Sequence, residues 1–168
     1  MATMTHLNNA KTTGVAGTLL NKLVSTDKDY GALLARVTLG LVIFPHGAQK
    51  ALGWFGGYGF AGTMSFFTQQ MGIPAPFALL AIAAEFLGAL GLITGVFGRV
   101  AAFGVGFTML VAALMVHLPN GFFMNWFGAQ KGEGIEYFVL AVGLALIVMV
   151  KGSGALSLDR LLAKRFDG

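Results

Sequence analysis

The chain has 168 residues, 56% hydrophobic and 11% charged, with mean hydropathy +0.76, net charge +4 and no cysteine. Soluble domains carry about a quarter charged residues, so this composition excludes a water-solvated globule and points to lipid as the solvent. The missing cysteines exclude disulfides, thiolate-held zinc, cysteine-ligated iron–sulfur clusters and a thiol nucleophile.

In chain order, residues 1–29 read as a cytoplasmic segment without the continuous apolar run of a cleavable signal peptide. Within it Val15, Leu19 and Leu23, with Leu20 and Val24, form an i, i+4 stripe near Lys11 and Lys22. That pattern predicts a short amphipathic helix on the membrane surface. Four apolar segments follow, at 30–52, 74–97, 100–118 and 135–150. A crossing needs roughly 20 residues at 1.5 Å each, and lipid satisfies no backbone hydrogen bonds, so the segments are helices. The last is short and has to begin close to the membrane surface. The turn around Gly98-Arg99 makes the second and third an antiparallel hairpin. The expected fold is therefore all-α: an integral membrane four-helix bundle over 30–152, followed by a second amphipathic stretch, "SLDRLLAKRF", in a cytoplasmic tail at 153–168.

Charge sets the orientation. Lys11, Lys22, Lys28, Arg36, Arg99, Lys151, Arg160, Lys164 and Arg165 fall on one side, and Lys50 and Lys131 on the other. The positive-inside rule then puts both termini in the cytoplasm and turns loops 53–73 and 119–134 outward. Since the basic residues flank membrane segments, anionic headgroups, not nucleic acid, are their expected partners.

Few motifs carry chemistry. Gly57-Tyr-Gly59-Phe-Ala-Gly62 is a formal GxGxxG, but a dinucleotide fingerprint needs a preceding strand and a βαβ unit, and here it follows a membrane helix. The glycines read instead as a tight loop, with Trp54, Phe55 and Tyr58 at headgroup depth. In the first span Arg36, His46 and Lys50 share an arc of about 80° at 100° per residue, and Pro45 removes a backbone donor beside them. Arg36 and Lys50, about 21 Å apart along the axis, either snorkel to opposite interfaces or turn inward. Lys50 is expected to mark the outer edge of the bilayer, and His46, too short to snorkel as far, to line the interior.

Glu85 is the strongest signal. It lies mid-span, where an acidic residue costs about 2.5–3.5 kcal/mol and a leucine returns only about 0.3–0.6. Such a carboxyl faces protein, as an interhelical hydrogen bond or ion pair, or as a proton-accepting group at an internal cavity. His117 ends the third span and Glu136 begins the fourth, both on the outer side; with His46, Lys50, Gln49 and Asn120 they put polar groups from three helices in one layer. The candidate ligand-binding set is His46, Lys50, Glu85, His117, Glu136 and Trp54, with Glu85, His46 and His117 the candidates for proton exchange. Two histidines at similar depth also raise haem or a metal, but no ligand pair at i, i+3 or i, i+4 accompanies them except His46–Lys50, and lysine is a poor metal ligand. No metal site is therefore assigned.

Several runs recur together over residues 30–162: Arg36 with "HGAQKALGWFGG", "GFAGTMSFF" leading to Gly72-Ile-Pro74, and Glu85 with "FLGALGLITGVFGR". "AALMVH" with Gly121-Phe122, "GIEYFVL" and "GSGALSLDRLL" complete them. In order and spacing they resemble the DoxX family of small bacterial membrane proteins. The resemblance implies a four-helix inner-membrane protein. Some relatives are subunits of thiosulfate:quinone oxidoreductase and others are linked to redox and thiol stress, so a redox-associated subunit and a quinone are what kinship implies; it transfers no catalytic residue. In that reading a quinone headgroup occupies the outer-half layer, with His46 or His117 bonding a carbonyl and Glu85 or Glu136 exchanging protons. The alternatives are a non-enzymatic scaffold for a protein partner, and a small-solute permease, for which a homo-oligomer would supply the pore.

Overall fold

The structure, a computed structural model, describes residues 15–166. Lys11 and the side chains of Val15 and Arg165, counted above, lie outside the described residues. α1 (Val15–Val24) leads into α2 (Tyr30–Leu52), then a 3-10 turn at Trp54–Gly56 and α3 (Gly59–Ser65), which runs on as a π turn over Phe66–Gln70. α4 (Ala75–Thr94) and α5 (Gly98–Ala112) form the hairpin; α5 continues through a π turn, Ala113–His117, and a 3-10 turn, Leu118–Asn120. α6 (Glu136–Lys151) and α7 (Leu158–Phe166) close the chain. Every regular element among the described residues is helical.

Local chemistry fixes the ends. The Asp29 side chain accepts from the Ala32 amide at 3.0 Å and caps α2, which stops at Gly53 in the left-handed region (φ 75°). Pro74 precedes α4, and Gly95 (φ 70°) ends it by donating its N–H to Gly91. α2 runs unbroken through Pro45.

α2 packs on α4 and α6, and α5 fits between α4 and α6, so the four surround one core. Leu39, Ile43, Leu92, Val105, Met109 and Val148 fill it. Outside, Phe103, Phe107, Leu140 and Val150 are exposed. Large apolar side chains on both faces of the same helices mean that the outer surface too was built for an apolar medium. Three helices are long and apolar enough to cross a membrane: Tyr30–Leu52, Ala75–Thr94 and Gly98–Asn120. α6, with 16 residues, spans about 24 Å at 1.5 Å each and falls short of that length.

The α2–α4 crossing is close because of glycine. At Gly47 a Cβ would stand 2.6 Å from the Glu85 carbonyl carbon and oxygen, and at Gly40 3.0 Å from the Ala89 oxygen. Backbone cannot give way as a side chain does. Gly47→Ala is therefore expected to cost about 1–3 kcal/mol through overpacking, read as a lower melting midpoint in detergent.

The end of the molecule holding the α4–α5 turn is knotted by two buried ions. Arg36, 1% exposed, donates Nε–H to the Ser153 carbonyl (2.7 Å), Nη1 to those of Leu92 and Ile93 (both 2.8 Å), and Nη2 to those of Ala155 (3.2 Å) and Leu156 (2.7 Å). Of the two readings left open for Arg36, the inward one holds: it does not snorkel. Asp159 of α7, also 1% exposed, accepts from the Phe97 and Gly98 amides (2.7 and 2.9 Å) and from Ser153 Oγ (2.5 Å). It caps α5 from the far end of the chain, which ties the tail helix to the bundle while Leu158 and Leu161 stay exposed.

At the same end Lys151 Nζ meets Asp29 Oδ2 at 2.6 Å. The Lys151 ammonium, and after it the Ala32 amide, hold the Asp29 carboxyl below its ordinary value. A carboxyl depressed by folding stabilises above the usual carboxylate range and ceases to do so as the pH falls through its folded value. Asp29→Asn should thus lower the melting midpoint slightly at pH 7, less so in salt. The gap to the parent should narrow as the pH drops below about 4.

Candidate functional site

At the opposite end, where loops 53–73 and 121–135 lie, the helices part around a cavity of about 530 Å³. α2 brings His46 and Lys50 one turn apart, α4 brings Glu85, the π turn after α5 brings His117, and α6 brings Tyr137. Both π turns contribute lining, Phe66 and Phe67 from the first and His117 from the second. An extra residue in a helical turn widens it locally, and π turns recur at functional sites for that reason. Most of the remaining wall is apolar and pliable, including Met71, Met109, Met115 and Met124.

Lys50 does not mark the bilayer edge: it turns inward, and its Nζ lies 2.6 Å from Glu85 Oε2. Glu85 keeps 4% of its side chain accessible and Lys50 27%. The mid-helix carboxylate is thus answered by an ammonium, brought within reach because Gly47 lets α2 sit directly on the Glu85 backbone. His117 Nδ1 stands 2.9 Å from the Glu133 carbonyl, and its ring centroid 4.2 Å from that of Phe138. A carbonyl only accepts, so the proton is on Nδ1, and in the neutral ring Nε2 is left as an acceptor. The His46 and Tyr137 rings lie 6.2 Å apart, tilted. The Tyr137 hydroxyl is buried and finds no hydrogen-bond partner among the described residues.

Four sequence candidates, His46, Lys50, Glu85 and His117, are brought together in this cavity; Glu136 and Trp54 are not among its lining residues. Glu136 faces the loop: its Oε1 accepts from the Met124 amide (2.9 Å) and from Trp126 Nε1 (3.2 Å). The loop's donors, one backbone amide and one indole N–H, claim this carboxylate before the cavity can. Trp54 is exposed in its 3-10 turn, edge-on to Phe55. Sequence reading missed Tyr137, which sits inside "GIEYFVL"; its position next to Glu136 at a helix start was the available signal. Among the described residues no three histidine, aspartate or glutamate side chains converge as a metal site. What the arrangement offers is donors and an ion pair at the wall of a largely apolar chamber.

A family model described as DoxX matches residues 31–118. Inner membrane protein YqjF of Escherichia coli (strain K12) is 30% identical over 145 residues, covering 83% of this chain and 97% of that protein. No solved structure matches. His46, Lys50, Glu85 and His117 lie within the stretch matched by the family model, and Tyr137 beyond it.

Proposed function

This chain belongs to the DoxX family, and from that premise we propose that it is a multi-pass inner-membrane protein whose cavity takes a quinone-type or small hydrophobic ligand, as one subunit of a redox-associated assembly. Three apolar helices, the apolar outer surface and the relative's printed name support the location. α6 is the fourth span, with its deficit in length made up at the headgroups by Lys151 and by the aromatic loop that includes Trp126 and Phe127. Arg36, Arg99, Lys151 and Arg160 gather at the end opposite the cavity, so the positive-inside rule places the termini in the cytoplasm and the cavity in the outer half of the bilayer.

One observation carries the ligand reading: among the described residues the buried Tyr137 hydroxyl has nothing to donate to. An unsatisfied buried donor costs about 1–3 kcal/mol, which a ligand carbonyl in the cavity would recover. The residues fit a quinone. Tyr137 Oη–H and Lys50 Nζ would hold its oxygens, Glu85 would keep Lys50 in place, and the methionines and phenylalanines would take the ring and tail. A bound quinone would supply a lipid-soluble two-electron carrier whose oxygens gain protons on reduction. The chain has no cysteine, so a thiol- or cluster-bearing electron donor would be a partner protein.

The test is purification in mild detergent, extraction of lipid-soluble cofactors, and titration with a short-chain ubiquinone. Saturable binding is expected, weakened about tenfold (about 1.4 kcal/mol) by Tyr137→Phe in a protein that still folds. Neither bound quinone nor saturable binding in the parent would overturn it.

A further inference from the structure

Beside the chamber lies a second cavity, of about 300 Å³, beneath the Trp54–Gly56 turn. Its own wall is made by Gln49, Gly56, Gly57, Tyr58 and Thr63; Lys50, Phe66 and Phe67 belong to both cavities. The two differ in chemistry. The chamber is dressed mainly in Met, Phe, Ala and Val, whereas the smaller cavity, though Phe66 and Phe67 still form part of its wall, is richer in polar groups: an amide, two hydroxyls and glycine backbone. Tyr58, 81% exposed, stands at its mouth. Its one charged wall residue, among the described residues, is Lys50.

Apolar cavities stay dry, while a polar one with several hydrogen-bonding groups holds water. The Glu85 side chain is shielded to 4%, and the lysine side chain paired to it is the more accessible partner at 27%. Because Lys50 is a wall of the polar cavity, water there meets the ion pair without crossing the methionine-lined chamber. The seat of the turn agrees: at Gly57 a Cβ would run into the Gln49 backbone, so this turn lies directly on α2 and leaves its opening beside Lys50.

Building on the ligand-chamber reading, we propose that the smaller cavity is an aqueous inlet ending at the Lys50 ammonium. It connects the Lys50–Glu85 pair to bulk water, while Phe66, Phe67 and Lys50 itself keep that water out of the chamber. The site thus has two doors of unequal polarity, the more polar for water and the other for an apolar ligand.

The absence of native cysteine makes the test direct. Gln49→Cys places a thiol in the inlet and Ala112→Cys one in the chamber. Each is reacted, in native membranes, with a charged methanethiosulfonate and with a neutral one of similar size. The ratio of the two rates cancels differences in intrinsic thiol reactivity. We expect the charged-to-neutral ratio to be at least tenfold higher at position 49 than at position 112. Equal ratios, or a lower one at 49, overturn the inlet. Should Gln49→Cys fail to fold, Thr63→Cys reads the opposite wall by the same criterion. No quinone enters the measurement, so failure of quinone binding and failure of the inlet are separate results.

Discussion

Arg36→Met is expected to lose on the order of 3–5 kcal/mol of stability, enough to remove most folded protein from the membrane. A guanidinium has five N–H donors, and all five are spent here on five carbonyls, those of residues 92, 93, 153, 155 and 156. Two of the acceptors belong to the last turn of α4, where carbonyls have no helical partner and the helix dipole is negative. The other three belong to the segment between α6 and α7. Arg36 therefore satisfies a helix end and pins a loop at once, and methionine, which ends where the guanidinium begins, leaves five carbonyls without their donor, three of them at buried and two at part-buried positions. Arg36→Lys keeps the charge but has three donors on a flexible stem and should recover only part of the loss. The check is thermal melting in detergent for the parent and both variants. A methionine variant that melts within about 1 kcal/mol of the parent would mean that water reaches these carbonyls and that the knot is not a dry one.

What the sequence made legible follows from range. Hydropathy windows found the four main helices, and 30–52 matches α2 to the residue, since Asp29 and Gly53 are local caps. The hairpin turn was readable at Gly98-Arg99, though α4 already stops at Gly95. Glu85 was conspicuous because charge inside an apolar run has few explanations. Arg36 was ambiguous for the opposite reason: its partners are backbone carbonyls 56 to 120 positions away, and backbone carries no sequence signature. Asp159 drew no reading of its own within the amphipathic tail, and only the fold shows it capping α5. Lys50 was assigned to the wrong environment because snorkelling reach was judged along one helix, whereas its direction is set by how closely Gly47 lets α4 approach. Glu136 went to its own loop, whose free amides could not be counted from composition. The π turns were invisible: the extra residue shifts the helical phase, but in five-residue stretches within largely apolar runs there is too little pattern for that shift to be read.

Lys50→Met is expected to destabilise more than Glu85→Gln, and the two together less than their sum. Removing the ammonium strands a carboxylate that is 4% accessible, and a buried ion without its partner either takes up a proton or unfolds the site. Removing the carboxylate strands the ammonium of a side chain that is 27% accessible and borders the smaller, more polar cavity, where water can solvate it. The double variant puts a neutral amide against a thioether and strands no charge. The coupling measured by a double-mutant cycle should be about 1–3 kcal/mol, read from melting in detergent, with Lys50→Met the lowest of the four proteins. Stability and function then part. If the pair exists to hold α2 on α4, the folded double variant binds a short-chain quinone as the parent does. If the ammonium is a donor to the ligand, that protein melts near the parent and binds at least tenfold more weakly. The second outcome is the expected one, because α2 and α4 are already held by the glycine crossing at Gly40 and Gly47, and an ion pair within a membrane-spanning bundle is an expensive way to duplicate that contact.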